Sequence, residues 1–216
     1  MGSEEADNED YEKHVCLRDS HKHYADRYPY TKGIYLNICK VNEEKEEVIG
    51  ELSGHFFNIS LLAKNKKMPE LMSLLHQYNE ETYDICRNLV KQTACYKGKG
   101  ENIYHLDRFY IDPCSRGDGI GKIILNELIE NVSSILNENV RYIGLYPDPI
   151  TPDPDYDSMK DMNVIERNRR VKQLKNFYSS LGFVEMNCEP NYMYLDLKKI
   201  TKNRSIVYHK ANISTL

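Results

Sequence analysis

Apolar positions along the chain change period several times, and each change marks an element. "GIYLNICKV" (Gly33–Val41) places Ile34, Leu36 and Ile38 at every second position, the spacing of a half-buried strand. "VIGELSGHFFNI" (Val48–Ile59) reads as the returning strand of a hairpin, with Gly50 or Gly54 marking a bulge, and a first strand is expected within Tyr11–Leu17. The period then lengthens. "MPELMSLLHQY" (Met68–Tyr78) sets Leu71, Met72 and Leu75 on one helical face. A second helix opens at Asn79, a residue type whose side chain caps free N–H groups, with Glu80 and Glu81 in its first turn, where the helix dipole favours negative charge.

"IYHLDRFYI" (Ile103–Ile111) returns to strand character and stops at Asp112-Pro113. After a glycine-rich loop, Ile120, Ile123, Ile124, Leu128, Val132 and Ile135 define an amphipathic helix to about Leu136, and "VRYIGLY" (Val140–Tyr146) is another strand. Strand, loop, helix and strand make a βαβ unit. "PDPITPDPDYDSMKDM" (Pro147–Met162) is too rich in proline and aspartate for regular structure. Asn163 with Glu166 resembles a capping box. The helix it opens turns Leu174, Phe177 and Leu181 inward and ends at Gly182. "FVEMNC" and "YMYLDLK" are two last strands around an "EPN" turn. The reading is α/β: a mixed, mostly antiparallel central sheet of six to seven strands with helices on both faces. One domain is expected over residues 11–200, between an acidic disordered tail (1–10) and a C-terminal tail (201–216).

Composition narrows the function classes. The 216 residues are 40% hydrophobic and 29% charged, as in a globular chain. There is no apolar run long enough for a membrane span and no signal-like N-terminus, so a cytoplasmic location is expected. Six cysteines without a C-x-x-C pair read as reduced thiols, and neither a disulfide frame nor a zinc site is expected. A net charge of −4 argues against general nucleic-acid binding.

The chemistry is concentrated in "SRGDGIGKIILNELI" (Ser115–Ile129), where Gly117, Gly119 and Gly121 alternate directly before a helix. Glycines at a helix start allow a ligand close to exposed backbone N–H groups. A P-loop would need four residues between its glycines and a hydroxyl after the lysine; here Ile123 follows Lys122. A dinucleotide loop would need G-x-G-x-x-G. The remaining pattern is R-x-x-G-x-G, matched by Arg116, Gly119 and Gly121, which suits a pyrophosphate at the helix N-terminus.

That pattern, with the strand before it in "DRFYIDPCSRGDGIGKIIL" and the later "NFYSSLGFVEM" (Asn176–Met186), resembles the GNAT superfamily of acyl-CoA-dependent N-acetyltransferases over residues 102–198. The resemblance implies acetyl-CoA as acyl donor, no metal, and a small-molecule or peptide amine as acceptor; a homodimer is compatible with it. It implies that the strand at Phe109, Tyr110 and Ile111 pairs with the pantetheine arm and polarises the thioester carbonyl. The loop Arg116, Gly117, Asp118, Gly119, Ile120, Gly121 and Lys122 would hold the pyrophosphate, with Asp118 a departure because an acid repels it. Tyr178 falls where many members place the general acid for the departing thiolate. His105 and Asp107, eleven and nine residues before Arg116 and on one face of a strand, are candidate bases, with ordered water as the alternative. A family asparagine that contacts the cofactor is replaced by Val171, so Asn168, or Arg167, Arg169 and Arg170, would stand in. The alternative function is a module that holds acyl-CoA without turning it over.

Other features weigh less. "DPDYDS" fails as a calcium loop, because Ser158 and Val164 stand where glycine and glutamate are needed. His21-x-His23 alone makes no metal site, and Cys114 near the loop reads as passive.

Overall fold

In the computed structural model, residues 15–20, 30–42, 45–65, 68–93, 102–150 and 160–200 are described. The two tails, Tyr11–His14, His21, His23 and most of the proline- and aspartate-rich insertion lie outside them.

One sheet carries the molecule. Its strands are β1 (Val15–Asp19), β2 (Thr31–Asn42), β3 (Lys45–Phe57), β4 (Asn102–Ile111), β5 (Val140–Leu145), β6 (Val184–Glu185) and β7 (Met193–Asp196), in the order β1-β2-β3-β4-β5-β7-β6. Every neighbouring pair is antiparallel except β4–β5, which is parallel. This is the mixed, mostly antiparallel sheet that the pattern implied. A parallel pair needs a crossover, and the helix Ile120–Leu136 supplies it.

Helices cover both faces. On one, α4 (Ile120–Leu136) and α5 (Val164–Ser180) close a core of Ile38, Leu52, Tyr104, Ile124, Leu128 and Tyr178. On the other, α1 (Ile59–Lys64), α2 (Met68–Tyr78) and α3 (Glu80–Thr93) close a second core around Phe57, Leu71, Leu75, Ile85, Leu89, Ile103 and Tyr142. Asn79 caps α3 through its side chain, which accepts the Thr82 N–H at 2.6 Å. Helix α1 departs from the sequence reading, which continued the strand to Ile59. Asn58 stops β3 and its side chain accepts the Leu61 N–H at 2.9 Å, so the chain turns into a helix although the apolar run continues.

Capping at α5 is half of a capping box. Asn163 accepts the Glu166 N–H at 2.9 Å, but the Glu166 carboxylate turns to Arg169 and Arg170 at 2.6 and 2.7 Å instead of reaching back. Gly182 ends α5 in the left-handed region (φ 95°), as a C′ glycine should.

A bulge shapes the centre of the sheet. Ser53 faces Arg108 and Gly54 faces Leu106, which leaves Asp107 without a partner on β3. A side chain at Gly54 would run into the His105 carbonyl and the Tyr104 ring, so only glycine lets the two backbones come this close.

Candidate functional site

The strands β4 and β5 pair only from Asn102↔Val140 to His105↔Gly144. Past that point β4 continues to Ile111 beside β3 while β5 turns away at Leu145. A cleft of about 690 Å³ opens in the splay, walled by Phe109, Tyr110 and Ile111 on one lip and Asp148, Pro149 and Ile150 on the other. The glycine loop closes one end, and α5 forms the roof through Arg169, Arg170, Gln173, Leu174, Phe177 and Tyr178.

The open lip of β4 presents backbone to the cleft. Asp112 N–H donates to Ile49 O at 2.8 Å, on the β3 side. Strand alternation therefore turns the Tyr110 N–H toward β3 and the Phe109 and Ile111 N–H groups toward the cleft. The Ile111 carbonyl points the same way and accepts the Arg116 Nε–H at 2.8 Å, which draws the loop onto the strand end.

The loop begins with a short 3-10 turn at Pro113–Ser115. Gly117 (φ 110°) and Gly119 (φ 75°) lie in the left-handed region, and a Cβ on either would meet nothing within 4 Å. Conformation, not space, therefore requires glycine there. Gly121 differs: a Cβ would lie 3.3 Å from the Phe177 ring, so its lack of side chain lets α5 approach α4. In the first turn of α4 the Lys122 and Ile123 N–H groups close on the Gly119 carbonyl at 2.9 and 3.2 Å, which leaves the Ile120 and Gly121 N–H groups ahead of them without an intrahelical acceptor.

Charge in the cleft is segregated. Arg116, Lys122, Arg169 and Arg170 bring four cationic side chains to its lining, with the Arg116 guanidinium over the Tyr110 ring at 5.5 Å. Glu166 neutralises part of this charge and is held well below the usual carboxylate range, at about 2, by hydrogen bonds from Arg169 and Arg170. Asp148 is engaged by Arg167 at 2.6 and 3.1 Å. Phe109, Ile111, Leu174 and Phe177 add apolar side chains to the lining. The arrangement suits a long ligand with an anionic end and a narrow apolar or amide-bearing stem.

Of the loop and strand residues predicted to bind, Phe109, Tyr110, Ile111, Arg116, Gly117, Gly119, Ile120, Gly121 and Lys122 line the cleft. Asp118 and Asn168 do not; both are exposed. Asn168 is off the stripe of α5 that carries Arg170, Gln173, Leu174, Phe177 and Tyr178, whose spacing follows the helical period. Arg169, Arg170 and Gln173 face the cleft in its place.

Tyr178 is buried, with its ring against Phe177 and Phe183 at centroid distances of 5.2 and 5.6 Å. Burial alone pushes its phenol well above the ordinary tyrosine range, so the hydroxyl keeps its proton at any working pH.

His105 and Asp107 come together with a residue that the sequence marked only as a first-turn acid of α3. Glu81, in the first turn of α3, places Oε1 3.1 Å from His105 Nε2, and Thr82 Oγ1 lies 3.0 Å from His105 Nδ1. One nitrogen or oxygen atom of each of Glu81, His105 and Asp107 lies within 4.8 Å of the others. His105 is fully buried, Glu81 is one-third exposed at 33%, and Asp107 is exposed. Nothing near Glu81 or His105 in the sequence marks the contact, because 24 residues separate them and only the packing of α3 on β4 joins them.

No family model matches the chain, and no curated protein matches it. Solved structures do. The chain is 12% identical to a chain of the KacTA–DNA complex (TM-score 0.43, covering 82% of this chain and 75% of that one). It is 15% identical to a chain of AtaTR bound with AcCoA (TM-score 0.40, 78% and 70%). It is 14% identical to NAA60 of Arabidopsis thaliana in complex with a bisubstrate analogue (TM-score 0.36, 75% and 73%). Similarity at this level leaves the functional argument to the geometry of the cleft.

Proposed function

We propose that the chain transfers an acetyl group from acetyl-CoA to a primary amine by direct attack in a ternary complex, the reaction implied by its resemblance to the GNAT superfamily. One observation carries the reading: a cleft at the β4–β5 splay joins outward backbone N–H groups, apolar side chains and a basic glycine loop, the three kinds of contact that the amides, stem and phosphates of an acyl-CoA would use.

In this reading Arg116, Lys122 and the N–H groups of the first turn of α4 hold the pyrophosphate, and Arg169 and Arg170 add positive charge from α5. The N–H of Phe109 or Ile111 faces the thioester oxygen, where negative charge grows as the amine adds. Tyr178 keeps its proton and gives it to the departing thiolate. An amine with a pKa of about 10.4 is free base in only about one molecule in a thousand near neutral pH, so the acceptor must also lose a proton.

The test is thiol release from acetyl-CoA in the presence of small amines, polyamines, aminoglycosides and lysine peptides. Binding is followed separately as a rise in melting temperature with CoA or acetyl-CoA by mass action. Acetyl-CoA should raise it much more than NAD or ATP. Equal shifts with ATP and magnesium would overturn the assignment of the loop.

A further inference from the structure

The splay has an apex as well as a mouth. Its last pair is His105↔Gly144. Two residues further along each strand, Asp107 stands on one lip and Tyr146 on the other; two more bring Phe109 and Asp148, which line the cleft. On the acyl-transfer reading, the acyl end of a ligand in the cleft points toward this apex, which lies just beyond the residues that line the cleft itself. Helix α3 sets Glu81 there, beside His105 and Asp107.

Four elements bring polar groups to Glu81. From β4 come His105 and Asp107. From its own helix comes Asp84, paired with Arg87 at 3.2 Å and accepting a hydrogen bond from the Tyr192 hydroxyl at 3.4 Å. From the ends of β5 and β7 come Tyr146 and Tyr192, whose rings pack at 5.3 Å. Burial first, and then nearby acids that include Glu81, hold both phenols above the ordinary tyrosine range. Both therefore stay neutral, and the charges beside them are the carboxylates of Glu81, Asp84 and Asp148 and, at Tyr146, the Arg167 guanidinium. Among the described residues no lysine or arginine pairs with Glu81 or Asp107.

We propose that Glu81 is the catalytic base that takes the proton from the acceptor's ammonium group, with His105 as its positioning residue. The inference rests on the acyl-transfer reading above. Glu81 is exposed enough to touch a substrate and His105 is not. Held from behind by Thr82, the imidazole fixes the Glu81 carboxylate toward the apex. The balance is complete without another reactant. The ammonium nitrogen gives one proton to Glu81, its lone pair forms the C–N bond, and the C–S bond breaks. Tyr178 protonates the thiolate, and the second proton lost by nitrogen restores Tyr178. Glu81 returns its proton to water.

The experiment measures thiol release from acetyl-CoA with putrescine and with a lysine peptide, from pH 6 to 10, for wild type, Glu81→Gln, Asp107→Asn and His105→Asn. Melting temperature with and without acetyl-CoA checks fold and donor binding. Glu81→Gln should lower the rate about a hundredfold at pH 7, and the deficit should shrink toward unity near pH 10, where the amine sheds its own proton. His105→Asn should show the same pH-dependent deficit, smaller by about tenfold, with KM for acetyl-CoA unchanged. Glu81→Ala, partly restored by added formate, gives the same answer should the Gln variant fold poorly. A deficit that is constant with pH, or one that belongs to Asp107→Asn and not to Glu81→Gln, overturns the assignment of Glu81 alone. Wild-type protein that binds acetyl-CoA but releases no thiol with any amine overturns the acyl-transfer reading, and this inference with it.

Discussion

Tyr178→Phe separates the phenol's chemistry from its packing. The ring is 7% exposed and wedged against Phe177 and Phe183, so truncation to alanine would cost about 3–5 kcal/mol. Phenylalanine keeps those contacts. The lost hydroxyl makes no hydrogen bond among the described residues, and burial is the sole cause of its raised pKa. Its removal should therefore leave stability near neutral pH within about 0.5 kcal/mol, and acetyl-CoA should still raise the melting temperature. The rate of thiol release should fall roughly ten- to a thousandfold, the loss of a general acid. A second signature appears in alkali. In the unfolded chain the phenol ionises near pH 10, whereas in the folded protein it stays protonated well above that. Between those limits the folded state binds more protons, so its stability falls as pH rises, by about 1.4 kcal/mol at pH 11 from this one group. The variant lacks the group and should escape that loss. Urea unfolding at pH 8 and pH 11 reads it directly: wild type and variant should coincide at pH 8, and the variant should be the more stable at pH 11. Tyr104, also raised by burial, is present in both and cancels. Wild-type turnover in the variant would refute the acid role, and coincident curves at pH 11 would refute the burial argument beneath it.

Other substitutions probe the rest of the site. Gly119→Asp places a side chain at φ 75° and an anion at the start of α4, and should abolish the acetyl-CoA melting shift while the protein stays folded, with about 1–2 kcal/mol lost to strain. Arg116→Ala removes a cation from the cleft and should raise KM for acetyl-CoA roughly ten- to a hundredfold with kcat nearly unchanged, since charge-assisted contacts are worth about 1.5–3 kcal/mol; an equal fall in kcat would place Arg116 in the chemical step. Gly54→Ala forces a methyl group onto the His105 carbonyl and should cost about 1–3 kcal/mol, read as a lower urea midpoint.

How much of this was legible in the sequence depends on the range of each interaction. Helix α4, the glycine loop before it and the C′ glycine Gly182 are local features: period, φ and capping lie within a few residues, and the structure places all of them where the pattern did. Helix α1 was missed because the competing signals are equally local. The apolar run through Phe57 and Ile59 favours a strand, and a single Asn58 side chain decides against it. Placing Asn168 at the cleft failed for a geometric reason. The face that a long helix presents is set by its packing, here by Tyr178 and Leu181 in the core, and counting back from them selects Arg170 and Gln173, not Asn168. The apex was the hardest to read. His105 and Asp107 could be paired by strand alternation, but Glu81 reaches them only because β4 packs under α3, a contact between elements that no local pattern encodes. In the sequence Glu81 was a first-turn acid favoured by the dipole of its helix. Both descriptions hold together: an acid placed near that N-terminus stabilises α3 and, because α3 packs on β4, carries the same carboxylate to His105 and Asp107, where the proposed base would stand.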